Sequence, residues 1–160
     1  MAGTYLSGYA DAHQGEYPSH TNGFGDALAL VAADIGYTSG AMVLVGVDDD
    51  ASLLMSAATN HTHLPEEKCT RIYVQGMTKA SNPEIAILFD RYAVKGGDHR
   101  RGHGPYLREV LFVQDGVREI ELKDWPAFAK NQVELLVQEG ILRPVAEAYY
   151  APTLRPDAIR

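Results

Sequence analysis

The chain has 160 residues and a mass of 17.5 kDa, enough for one domain that buries about two-thirds of its unfolded surface. Its formal net charge of −7 and pI near 5.3 argue against a nucleic-acid partner, which needs a basic stripe longer than His99-Arg100-Arg101. The single cysteine, Cys69, excludes an intrachain disulfide and a thiolate zinc centre, and no stretch reaches the roughly 18 apolar residues of a membrane span.

The first segment is helix-compatible. Tyr5, Leu6, Tyr9, Ala10 and Ala12 precede a stop at Gln14-Gly15 and a break at Tyr17-Pro18. Residues 1–15 therefore read as the tail of a longer helix, with Met1 to Gly3 a start joined onto mid-helix sequence. After Pro18, Leu28, Val31, Ala32 and Ile35 recur at helical spacing, with Asp26 in the first turn and Gly36 placed as a left-handed cap. "AMVLVGV" (41–47) is expected to be a buried strand and Asp48-Asp49-Asp50 a turn. Residues 52–70 give a helical turn at most, then polar loop chemistry up to Pro65.

Two strands are expected over 71–77 and 84–90, separated by the turn-forming "KASNP". A long Gly-rich, charged loop (91–106) follows. Two strand-like runs in 107–122 then flank Gln114-Asp115-Gly116, and the Asp-Gly pair suits a tight hairpin because it accepts positive φ. The last helix takes Asp124 as N-cap, Pro126 in the first turn and Gly140 as its stop. Trp125, Phe128, Val133 and Leu136 are placed to face the sheet. The domain is expected to end at 143, leaving 144–160, with Pro144, Pro152 and Pro156, as an extended tail. The pattern is α+β with a mainly antiparallel sheet.

Candidate chemistry is sparse. His61 and His63 in "NHTH" and His99 and His103 in "DHRRGHG" could supply imidazoles to zinc, and Asp48 to Asp50 could offer oxygens to calcium, although the full calcium-loop pattern is missing. Solvated loop histidines and a solvated acidic turn are the simpler readings. Cys69 reads as a small buried apolar residue. "NHT" (60–62) fits a glycosylation triplet that also arises by chance. No Gly-rich segment makes a phosphate loop, and "TSGAM" is not a nucleophile elbow. No motif compels an enzyme.

Two phrases resemble bacterial pseudopilins and type IV pilin-like proteins. Tyr9, Asp11, Gly15, Tyr17 and Pro18, then Asp26, Ala27 and Leu28, resemble the region just after that family's membrane helix. Asp90, His103, Gly104, Val110, Leu111, Phe112, Asp115, Gly116 and Val117 are similar to its closing strand, His-Gly loop and hairpin. The likeness spans residues 4–31 and 84–139. The chain departs from the family in placing Asp115 twelve positions after His103, a longer spacing than the family's, and in lacking a histidine after Asp115-Gly116. The resemblance implies a pilin-like head domain, non-enzymatic and without an obligatory cofactor. Such a head packs with other pilin-like subunits in a filament of the bacterial cell envelope, tied to the inner membrane through an N-terminal helix and serving secretion or a pilus-like fibre. Tyr9, Tyr17 and Pro18 would fix the junction of helix and head, Asp115 and Gly116 the hairpin, and Trp125 and Phe128 the C-terminal helix. The alternative is a small metal-binding protein or metal-dependent hydrolase built on His61, His63, His99 and His103.

Overall fold

Strand β4 (Tyr106–Phe112) organises the molecule. It buries Val110, Leu111 and Phe112 together with Arg108, and it is paired along both edges. On one side lie β2 (Ala86–Asp90) and then β3 (Val94–Lys95), which follow one another in the chain; on the other lies β5 (Val117–Glu121). The short β1 (Arg71–Tyr73) extends the sheet beyond β2. Every pairing among the described strands is antiparallel. The computed structural model describes residues 2–36, 51–96, 104–114 and 116–160, and the side chain of Ala51 is not among what is described. The strand expected over 41–47, the acidic run 48–50, His99, His103 and Asp115 lie outside the described residues.

Among the described residues, three helices precede the sheet. Helix α1 (Ala2–Ala12) buries Leu6 and Ala10, and stops where Gln14 and Gly15 take φ of 59° and 88°. Helix α2 (Phe24–Asp34) buries Leu28, Val31 and Ala32 and is closed by Gly36 at φ 66°. Helix α3 (Ala51–Asn60) is a full helix where only a turn was expected. Its small residues let it lie close against α2, and His61 terminates it at φ 53°. None of the described helices is long and apolar enough to cross a membrane.

Helix α4 (Trp125–Gln138) covers one face of the sheet, with Trp125, Val133 and Leu136 buried. Pro126 sits in its first turn and Gly140, at φ 92°, ends it. The expected cap by Asp124 is corrected: its backbone is already helical and its side chain makes no capping bond. Gln132 is buried among apolar neighbours, and its amide bonds the backbone of the β2 entrance. Oε1 accepts from Ala86 N–H at 2.9 Å and Nε2 donates to Glu84 O at 2.9 Å. Those groups lie beyond Leu88, the last β2 residue that β1 pairs.

The tail expectation is also corrected. Most of the segment 144–160 is not extended: it continues as helix α5 (Arg143–Tyr150) and a 3-10 turn (Ala151–Leu154), and only the last six residues are non-helical. Pro144 and Pro152 each fall in a first turn, where a missing N–H leaves no bond unmade, so they open helices rather than prevent them. The β4–β5 connection closes through Phe112 N–H to Gly116 O at 2.9 Å.

Candidate functional site

A polar cavity of about 150 Å³ opens between α2 and α3. It is lined by Ala29, Ala33, Ala57 and Ala58 and by the polar His20, Asn22, Asp26, His61 and His63. Asp26 is the fixed point. It stands in the first turn of α2, where the unsatisfied N–H groups favour an anion, and its side chain is only 9% exposed.

Gly25 makes this placement available. A Cβ there would lie 2.2 Å from Leu64 O, so only glycine lets the start of α2 approach the 61–65 segment so closely. Asp26 Oδ1 then accepts Leu64 N–H at 2.6 Å, and Oδ2 meets His63 Nδ1 at 3.0 Å. His20 Nδ1 lies 3.7 Å from the same Oδ2 and accepts Asn22 N–H at 3.2 Å. A second carboxylate closes the helix end: Glu66 Oε1 accepts Phe24 N–H at 2.8 Å. The α2 terminus is thus capped from a segment forty residues further along the chain.

Burial alone would raise the Asp26 pKa. The hydrogen bonds from His63, Leu64 N–H and Asn22, with the charge of His63, outweigh that and hold it below its ordinary 3.8. His63 is raised above 6.5, first by its hydrogen bond to Asp26; slight desolvation opposes this, and the charges of Asp26, Glu67 and Glu66 add to it. The signs fix a window. Asp26's contribution to stability is present above pH 3.8 and lost as pH falls through its lower folded pKa. His63's contribution is complete below pH 6.5 and lost as pH rises through its higher folded pKa. Asp26→Asn should therefore lower the His63 titration midpoint, followed by NMR, toward its ordinary value. A midpoint unmoved by that change would sever the link between the two groups.

The other sequence-predicted residues fall elsewhere. His61 is exposed at the cavity mouth and is not hydrogen-bonded to Asp26. Tyr9 is half-buried and stacks on His13 with ring centroids 4.0 Å apart. Tyr17 is buried, its hydroxyl donating to Val113 O at 2.5 Å, and Pro18 O accepts the Tyr73 hydroxyl at 2.9 Å. Trp125 is buried, and Phe128 is edge-on to Phe112 at 6.2 Å. Cys69 is a buried thiol, pushed up to about 12 chiefly by burial; it is no nucleophile. Among the described residues, no group of three or more His, Cys, Asp or Glu side chains is arranged to hold a metal ion. Sequence reasoning missed His20 and the role of Asp26. The only signal was an aspartate beside two glycines in "GFGDA", with nothing to connect it to "NHTH".

Comparison of the chain with protein-family models, curated proteins and solved structures returned no match. The functional reading therefore rests on the residues and their geometry.

Proposed function

We propose that this chain is the head domain of a pilin-like structural subunit, and that the protein carries an apolar helix ahead of α1. Through that helix it packs with other pilin-like subunits in a filament of a bacterial cell envelope, anchored in the inner membrane and serving protein secretion or a pilus-like fibre. The observation that carries the reading is the mounting of α1. A helix that transmits load to a head must be joined to it by more than a loose linker.

Here the segment after α1 is stitched to the region between β1 and β2. Lys79 N–H donates to Gly15 O at 2.8 Å and Tyr17 N–H to Met77 O at 3.3 Å, while Lys79 Nζ reaches Asp11 Oδ1 at 2.6 Å. The Tyr17 and Tyr73 hydroxyls complete the joint from inside. Burial of Leu6 and Ala10 on one face of α1 gives the helix a fixed seat.

The test is the encoded protein. Its reading frame should contain roughly 20–25 consecutive apolar residues just ahead of Thr4, and the full-length chain should fractionate with membranes and cross-link to like subunits. A frame without such a stretch, or a full-length chain that stays monomeric and membrane-free, overturns the proposal.

A further inference from the structure

We propose that the outer face of α5 and the groove it borders form a docking surface for a basic amphipathic helix of another protein. Helix α5 buries Ala146 and Tyr150 on its inner side. Outside, Val145 is 46% exposed and Leu142, just ahead of the helix, is 73% exposed. Ala148 and Pro152 continue this apolar stripe at helical spacing. Contiguous exposed apolar surface bordered by charge marks an interaction site, where single scattered side chains do not.

The stripe runs into a groove of about 370 Å³, which Val145, Ala148 and Pro152 line from α5. Phe24, Ile72 and Tyr149 line it as well, together with the charged Glu66, Glu67 and Arg91. The Arg91 guanidinium is tied to the backbone, donating from Nε to Cys69 O at 2.9 Å and from Nη2 to Glu66 O at 2.6 Å. Glu66 gives one oxygen to Phe24 N–H. The Glu67 side chain is exposed and makes no hydrogen bond or ion pair with another described residue. Two carboxylates against one guanidinium leave the groove acidic, in a chain of net charge −7. A lysine or arginine side chain suits such a groove, its aliphatic stem on the apolar lining and its cationic head at Glu67. Apolar residues on the same face of the partner helix then cover Leu142 and Val145. A second copy of the chain is the poorer occupant, because it brings the same negative charge. This inference stands independently of the filament reading.

The probes are two model helical peptides about four turns long with leucine every three or four residues, one flanked by lysines and the other by glutamates. Each is titrated into the full chain, followed by fluorescence anisotropy and amide NMR. The lysine peptide should bind one equivalent, with shifts gathered over residues 142–152 and around Glu67, and more weakly as salt rises. The glutamate peptide should not bind. Glu67→Lys and Val145→Asp, both at exposed positions, should each weaken the lysine peptide at least about fivefold. Glu119→Lys, the same charge change on exposed β5, should leave affinity within about twofold. No saturable binding, shifts gathered elsewhere, or Glu119→Lys acting as strongly as Glu67→Lys would each overturn the surface. Self-association of the free chain through these residues would give the face to a second copy and overturn the basic partner.

Discussion

Arg108→Met should lower the free energy of unfolding by about 3–5 kcal/mol. Arg108 lies on β4 with no exposed surface. Its guanidinium donates to Asp90 O at 3.0 Å, to Arg91 O, to Thr153 O at 3.0 Å and to Ala158 O at 2.9 Å. It also sits 5.0 Å from the centre of the Trp125 ring. Hydrogen bonds to a charged group contribute roughly 1.5–3 kcal/mol each, so a simple sum would exceed 6.

That sum overstates the loss, because the folded state already bears the cost of desolvating the cation. Burial brings its pKa down to about 10, against a smaller opposing pull from Asp90, and its Nε is buried without a partner. Replacement by Met recovers part of that cost. What remains is the orphaning of carbonyls on two separate segments. Lys in this position should lose most of the stability too, since one ammonium cannot fork to both. Urea melts give the energy. Hydrogen exchange locates it, and protection should fall first at Ala93 and Arg160, whose N–H groups bond Ala158 O and Ala93 O. A loss under about 1 kcal/mol would mean that Arg108 is a passenger of the C-terminal packing.

Trp125→Ala should cost about 3–5 kcal/mol as well. The ring is 1% exposed and packs on Phe128 at 5.1 Å, Phe89 at 5.7 Å and Tyr150 at 6.3 Å. Its Nε1–H donates to Thr153 Oγ1 at 2.8 Å. Because Trp125 and Arg108 touch each other and hold Thr153 by different atoms, their losses should not add. The double variant should fall short of the sum by at least about 0.5 kcal/mol. A strictly additive double variant would separate the two into independent supports.

The elements that were legible in the sequence are those whose signal is local. The paired runs around Gln114 to Gly116 became β4 and β5, and the left-handed stops at Gly36 and Gly140 lie where their helices end. Helix α3 was not legible, since "ASLLMSAATN" offers small and hydroxyl residues rather than an apolar stripe. Helix α5 was masked by prolines whose effect depends on position in the turn. The Asp26 cluster was invisible for another reason. Its members are joined only after α2 and α3 pack, and what permits the approach is an absent Cβ at Gly25. Likewise nothing in the sequence connects Arg108 to Thr153 and Ala158, whose carbonyls it bonds in the folded chain.

The amide of Gln132 carries a consequence for how copies of this protein meet when crowded. Because β1 is three residues long, the entrance to β2 would be an open rung, with Ala86 N–H and Glu84 O free to recruit a strand from another molecule. Gln132 occupies that rung with a side chain shaped like a peptide group. A helix thereby ends the ladder where no further strand can be added, and a protein concentrated beside its own copies is spared one route to cross-molecular sheet growth.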